Sequence, residues 1–380
     1  MTAQISKTLH NSPLGEGGIA VIADDFTGAA ELAGISLRYG LTVSLCLHDE
    51  ISTDADVLII STDSRSLKKK EALKVTADAV RKVVQLKPDL IYKKIDSVLR
   101  GYVLDELKTQ MEICGLNKAF IMPANPSLGR TIIAGKYFID GKQINETGFV
   151  ADPEFPVISS SIHKILDDDS VKVLKHTEPL PAKGIVVGEA KNENDINEWA
   201  NKLDNSWVLA GAGDFYTALL NKRCQEQKLH KFHLLQPHLY ICGTSFKERK
   251  EFINEISEEL NCVAYMGGRV DKLWINKTAD IIKKNGKAVI AIKETTASAL
   301  TLRTVMSKAV REILKRKTVK EIFIEGGSTA AAILQELDIK KLLPVNELQR
   351  GVVRMKVNDL FITVKPGSYK IPEQIKRLYS

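Results

Sequence analysis

The chain contains no G-x-x-x-x-G-K-[ST] run and no G-x-G-x-x-G after its first apolar segment, so it has neither a Walker A loop nor a dinucleotide fingerprint. Any phosphate site must therefore be built from other turns. Cysteine is scarce: Cys46, Cys114, Cys224, Cys242 and Cys262 are odd in number, scattered, and never spaced C-x-x-C. That excludes the commoner zinc and redox motifs and is the usage expected of a reducing cytoplasm. Of the seven histidines only His230, His233 and His238 cluster, without acidic or thiol partners, so no metal site is expected there. No apolar run approaches the ~20 residues of a membrane span, and residues 1–18 read as a polar, loose leader without an apolar signal core. The net charge, 54 − 47 = +7, is modest and spread along the chain, with no basic stripe interleaved with aromatic platforms. Nucleic acid is thus not an expected partner. The densest basic stretch, Lys68-Lys69-Lys70, opens a predicted helix and reads as solvated surface.

What is present is the pattern of an ordinary soluble α/β protein. At 380 residues, 44% hydrophobic and 27% charged, the chain exceeds one typical core, and two domains are expected. Apolar strands alternate with amphipathic helices: strands near 19–23, 42–47, 57–61, 90–95 and 119–122, with helices near 29–39, 67–86 and 102–114. Such alternation specifies a largely parallel sheet covered by helices. Ile139-Asp140-Gly141-Lys142 signals a hairpin, and Pro153 and Pro156 mark irregular chain, before the pattern resumes through residue 225. The polar connector 225–231 is the candidate boundary, giving a leader at 1–18 and domains at 19–230 and 231–380. The second series has strands near 239–242, 262–266, 288–292 and 321–324, helices near 247–260, 271–284 and 299–315, and a closing hairpin around Asn358-Asp359.

Four successive strands deliver charge at their carboxyl ends, which is the ligand edge of an open α/β sheet. The first runs into Asp24-Asp25-Phe26-Thr27-Gly28, and the third is followed by Asp63-Ser64-Arg65. The fourth ends in Lys93-Lys94-Ile95-Asp96-Ser97-Val98-Leu99-Arg100-Gly101, and the fifth in Pro123-Ala124-Asn125-Pro126-Ser127-Leu128-Gly129-Arg130-Thr131. One carboxylate suffices to cap a helix, so a second beside it needs a separate reason. Strand alternation sends Lys93 and Lys94 to opposite faces.

These four segments, in this order, resemble the four-carbon acid sugar kinase family. The resemblance implies two α/β domains, each a mostly parallel sheet flanked by helices, with the active site in the cleft between them. It implies ATP-dependent phosphorylation of a threonate- or erythronate-like sugar acid in carbohydrate acid catabolism, with ATP and Mg²⁺ as cofactors. A small-molecule acid is the expected partner, self-association into a homo-oligomer is left open, and no membrane partner is expected. The match is strong through about residue 150. Beyond it, Gly243-Thr244-Ser245, Glu325-Gly326-Gly327-Ser328-Thr329 and Lys365-Pro366-Gly367-Ser368 match in position but depart in letters. The family commonly has an acid where Ser328 stands and a Lys-Ser-Gly-Asn-like run at 365–368.

On that basis Asp25, with Asp24 as the less favoured alternative, is expected to orient or deprotonate the acceptor hydroxyl, while the other carboxylate structures the turn or helps to hold Mg²⁺. Arg65 and Arg100 can grip a substrate carboxylate with forked hydrogen bonds. Lys93, Lys94, Asp96, Ser97 and Arg130 complete the substrate set. Thr244, Ser245, Gly326, Gly327, Ser328, Gly367 and Ser368 are expected at the nucleotide phosphates, where bare helix-start N–H groups attract anions. A sugar-acid-binding relative that has lost phosphoryl transfer is the alternative, and an aldolase or dehydrogenase on a similar scaffold a third reading, the dehydrogenase disfavoured by the missing fingerprint.

Overall fold

The computed structural model describes residues 17–48, 50–152, 155–227, 233–244, 247–260, 262–267, 270–292, 296–316, 319–367 and 369–379. The chain divides into two compact units, Met1–Gln227 and Lys228–Ser380.

In the first unit the chain runs β1 (Ile19–Ala23), α1 (Phe26–Arg38), β2 (Val43–Leu47), β3 (Val57–Ser61), α2 (Lys69–Gln85), β4 (Leu90–Lys94), α3 (Val103–Cys114) and β5 (Lys118–Met122). It continues through β6 (Arg130–Ile133), β7 (Lys136–Ile139), β8 (Lys142–Gln143), α4 (Ile162–Leu166), β9 (Lys172–Leu174), β10 (Gly184–Gly188), α5 (Glu193–Lys202), β11 (Val208–Gly211) and α6 (Gly213–Asn221). The eight main strands pair in the order β2-β3-β1-β4-β11-β5-β10-β9, and every pair is parallel. Strands β1, β2 and β3 are buried along their whole length, which explains their near-continuous apolar letters: a parallel sheet covered on both faces needs no polar alternation. Helices α1 and α6 pack together, as do α2 and α3. From β1 the chain passes over to β2, returns through β3 to lie beside β1, and then crosses to the other side of β1 with β4. The carboxyl end of β1 is therefore a topological switch point, where open α/β sheets bind ligands.

Strands β6, β7 and β8 form a separate antiparallel sheet. The Asp140-Gly141 turn between β7 and β8 has φ of 48° and 79°, the left-handed pair that a two-residue hairpin requires. The sequence reading placed Arg130 in the segment that follows the fifth strand, with no strand assigned to it. The structure makes it the first residue of β6, bridged to Asn125 by backbone hydrogen bonds of 2.8 and 3.2 Å.

The second unit runs β12 (His238–Cys242), α7 (Lys247–Leu260), β13 (Val263–Met266), α8 (Lys272–Asn285), β14 (Lys287–Ile292), α9 (Ala299–Leu314), β15 (Glu321–Glu325) and α10 (Gly327–Glu336). It closes with β16 (Lys341–Gln349), β17 (Val352–Val357), β18 (Leu360–Lys365) and α11 (Glu373–Tyr379). Strands pair as β13-β14-β12-β15-β18 in parallel, and β17 and then β16 add antiparallel. Tyr240, Phe323, Tyr379, Ile253 and Ile375 anchor its core. Strand β16 escaped the sequence reading because Pro344, Asn346, Glu347 and Gln349 interrupt it. Its pairing shifts register between Pro344 and Asn346 and again between Glu347 and Gln349, the kind of irregularity at which a strand tolerates proline. Among the described residues no helix is long and apolar enough to cross a membrane.

Candidate functional site

The carboxyl ends of β1, β3 and β4 bring the first-half polar residues together. Asp25 is the N-cap of α1: its Oδ1 accepts from the Gly28 N–H at 2.9 Å and its Oδ2 from the Thr27 hydroxyl at 2.5 Å. Asp25 thus caps the helix, but its carboxylate also reaches a partner beyond it. Arg65, just past β3, donates Nη2 to Asp25 Oδ2, while its Nη1 lies 3.0 Å from Asp96 Oδ1 and 3.7 Å from Asp24 Oδ2. One guanidinium therefore ties the turns after β1 and β4. Gly28 must lack a side chain here, since a Cβ would stand 2.6 Å from Asp25 Oδ1 and 2.9 Å from Lys94 Nζ.

The two adjacent carboxylates differ electrostatically. Burial pushes Asp24 up to about 6, with Asp25 adding to the rise and Arg65, Lys93 and Lys94 opposing it. Burial also acts on Asp25, but Arg65, Lys94 and the hydrogen bonds from Thr27 and Gly28 outweigh it and hold this carboxyl below its ordinary range. Asp24 is 4% exposed, and its Oδ1 has no hydrogen-bond partner among the described residues. Asp25 keeps 16% of its side chain exposed. Asp96 is buried, yet Arg65 and Arg100 hold it well below the usual carboxylate range.

Arg100 grips Asp96 through Nε at 2.8 Å and Nη2 at 3.0 Å, reaches Asp152 through Nη1 at 2.8 Å, and lies over the Phe149 ring. Arg130 donates Nη1 to the Ser97 hydroxyl. The buried Tyr137 hydroxyl donates to Ser97 O at 2.6 Å, fixing the same turn. Lys93 is fully buried and ion-paired with Glu106 on α3, whereas Lys94 lies 3.8 Å from Glu31 on α1 and donates to Ile95 O at 2.9 Å. The two lysines thus occupy opposite faces of the sheet, as alternation requires. Glu31, Glu106 and Asp152 were not singled out from the sequence. No local signal marks them, because each is defined by a partner remote in the chain.

In the second unit, Gly326 has φ of 105° and opens α10, which has no side-chain cap at its N-terminus. Gly243 abuts the same turn: a Cβ on it would stand 2.0 Å from Thr329 Oγ1. Gly327 and Gly367 are partly exposed, as is Thr244, and Ser328 is exposed. Ser245 and Ser368 lie outside the described residues. Beneath these turns sits a buried cluster that the sequence reading missed, although Glu325 immediately precedes the glycine pair. Glu325 accepts from Tyr240 at 2.5 Å and Arg249 at 2.7 Å, and Lys365 Nζ lies 2.9 Å away. Lys365 also donates to Pro366 O at 2.7 Å and Tyr369 O at 2.5 Å, binding the chain after β18 to the strand ends. Among the described residues no group of three His, Cys, Asp or Glu is placed to hold a metal ion.

Comparison with known proteins agrees with this division. Residues 19–219 match the family profile of a sugar-binding N-terminal domain, and residues 241–369 that of a nucleotide-binding C-terminal domain. A D-threonate kinase of Salmonella typhimurium is 36% identical over 221 residues, covering 52% of this chain and 52% of that protein. A D-erythronate kinase of Heliobacterium modesticaldum is 30% identical over 154 residues, covering 39% and 35%, and a 3-oxo-tetronate kinase of Brucella melitensis is 31% identical over 159 residues, covering 40% and 36%. The chain thus matches about half the length, or less, of these curated relatives. A solved Haemophilus influenzae protein superposes with a TM-score of 0.75 at 17% identity, over 94% of this chain and 98% of that one, which establishes the shared fold. With both domain profiles matched in order and the charged strand ends assembled as described, the chain belongs to the four-carbon acid sugar kinase family.

Proposed function

We propose that this protein is an ATP-dependent kinase that phosphorylates a hydroxyl of a four-carbon sugar acid, with the first unit binding the acid and the second the nucleotide. The observation that carries the reading is the convergence of Asp24, Asp25, Arg65, Asp96, Ser97, Arg100 and Arg130 at the switch point of the first sheet. Relatives named as threonate, erythronate and 3-oxo-tetronate kinases support it.

Asp25 is the carboxylate that orients the acceptor hydroxyl. It is the more exposed of the pair and stays ionised, and a loose phosphoryl-transfer transition state demands positioning more than early proton removal. Arg65 holds Asp25 in place, and Asp24 sits behind it as a buried, proton-sensitive partner. Asp96 accepts from sugar hydroxyls. Lys94 adds positive potential beside Asp25, whereas Lys93, neutralised by Glu106, supports the turn from the far face. The triphosphate is received by backbone N–H groups at Gly327 and Ser328, with Thr244 and Gly367 beside them, while Gly326, whose own N–H is given to Lys365 O at 2.9 Å, shapes the turn. Mg²⁺ arrives with ATP as part of the substrate. The five free cysteines are in keeping with a cytoplasmic setting.

A sugar-acid-binding relative without phosphoryl transfer is the second reading. It is favoured by Pro366, which offers no N–H to a phosphate, and by the neutral Ser328 on the first turn of α10. Incubation of the purified protein with MgATP and a panel including D-threonate and D-erythronate, followed by detection of ADP and phosphorylated acid, separates the two. Binding of an acid without ADP formation selects the second.

A further inference from the structure

The three arginines at the first-unit site differ in what already occupies them. Arg65 faces three carboxylates, Asp24, Asp25 and Asp96. Arg100 is clasped on its Nε and Nη2 edge by Asp96 and on Nη1 by Asp152. Both guanidinium groups are neutralised by the protein, and a substrate carboxylate approaching either would meet Asp96 at close range. Like charges at such distances repel strongly where burial lowers the dielectric. Arg130 is different: among the described residues its guanidinium has no carboxylate partner and donates only to the Ser97 hydroxyl.

Ser97 points to the same use. Its oxygen accepts from Arg130, and its own proton has no acceptor among the described residues, so hydroxyl and guanidinium form two adjacent donors for one anion. The mount is rigid. Arg130 begins β6 and is bridged to Asn125, and Tyr137 on β7 donates to both Ser97 O at 2.6 Å and Pro123 O at 3.4 Å. A planar donor fork held this way suits a carboxylate better than a point charge would.

We propose that Arg130, assisted by Ser97, receives the carboxylate of the sugar acid, and that Arg65 and Arg100 are positioning residues for Asp25 and Asp96. The inference rests on the sugar-acid reading above. It makes Arg130 the determinant that separates a sugar acid from an uncharged polyol of the same length.

The test compares D-threonate and D-erythronate with threitol and erythritol by titration calorimetry, alongside MgATP turnover of the acids, in the natural protein and in Arg130→Met, Arg130→Lys and Arg100→Met. Melting temperature serves as the folding control. In Arg130→Met the acid should bind roughly 10- to 100-fold more weakly, as for loss of a hydrogen bond to a charged group, while threitol binding and the KM for ATP stay unchanged. Arg130→Lys should recover part of the loss. Arg100→Met should lower kcat or stability yet keep the preference for acid over polyol. If Arg130→Met retains the natural preference, or if Arg100→Met abolishes it, the assignment is overturned. A natural protein that binds the acids without forming ADP defeats the kinase reading and leaves the Arg130 comparison decisive by binding alone; one that binds no acid defeats both.

Discussion

Arg65 and Asp25, forty residues apart, are joined by a charge-assisted hydrogen bond that locks the turn after β3 to the cap of α1. The same carboxylate caps the helix through the Gly28 N–H and anchors the arginine, so its two roles can be separated by substitution.

Asp25→Asn keeps the cap, because asparagine caps helices about as well as aspartate, but removes the charge. Turnover should fall by about 10²–10⁴-fold. Arg65 still has Asp96 at 3.0 Å, so the stability loss should stay within about 1–3 kcal/mol. Asp25→Ala should lose roughly a further 1 kcal/mol as the cap disappears. Rate and denaturation measurements on both variants check this, and a fully active Asp25→Asn enzyme would remove Asp25 from the reaction.

Asp24 carries a pH signature of the opposite sign to its neighbours. Its carboxyl is raised from 3.8 to about 6, so between those values the folded protein holds a proton that the unfolded chain has released. Stability from this group therefore falls as pH rises through that window, by at most about 3 kcal/mol for a shift of about two units. Asp25 and Asp96, with lowered values, contribute stability above the ordinary carboxylate range that is lost on acidification. Asp24→Asn should consequently be more stable than the natural protein at pH 8, with the advantage gone near pH 4. Urea unfolding at several pH values reads this directly. A variant less stable at pH 8 would mean that the Arg65 contact outweighs burial.

Lys93 and Glu106 should behave as a structural pair. Both are buried and close their charges on each other. Lys93→Met alone strands a buried carboxylate and should cost about 3–5 kcal/mol, whereas Lys93→Met with Glu106→Leu should recover most of that loss. The folded double variant should retain most of its sugar-acid affinity. Loss of affinity out of proportion to stability would instead place Lys93 at the ligand.

The strand ends were legible in the sequence because β-branched and small apolar runs stop abruptly at charge, and because parallel strands buried on both faces have few other letters available. The segments that hold Asp24, Asp25, Arg65, Asp96, Ser97, Arg100 and Arg130 were marked on that basis, and the family resemblance picked out these residues within them. Which arginine is already neutralised could not, since Asp152 lies 52 residues from Arg100 and Asp96 31 residues beyond Arg65, and no local rule couples them. Strand β16 was hidden by Pro344, and the role of Glu325, the buried last residue of β15, by partners on β12, α7 and β18 that are remote in the chain.

That buried cluster yields the last prediction. Lys365 Nζ contacts Glu325 and also ties down the carbonyls of Pro366 and Tyr369, while the Gly326 N–H donates to Lys365 O at 2.9 Å. The glycine turn at 326–327 and the chain after β18 are thus held by one side chain and its own backbone. Lys365→Met leaves Glu325 with Arg249 and Tyr240, so charge balance survives better than in Glu325→Gln, which leaves Lys365 and Arg249 buried together without a carboxylate. Glu325→Gln should therefore be the more destabilising, by about 3–5 kcal/mol. Lys365→Met should mainly loosen the turns and raise the KM for ATP several-fold, with sugar-acid affinity unchanged. Chemical unfolding combined with separate titrations of MgADP and D-threonate distinguishes these outcomes. Equal weakening of both ligands by Lys365→Met would show that Lys365 supports the whole unit and has no particular hold on the phosphate turns.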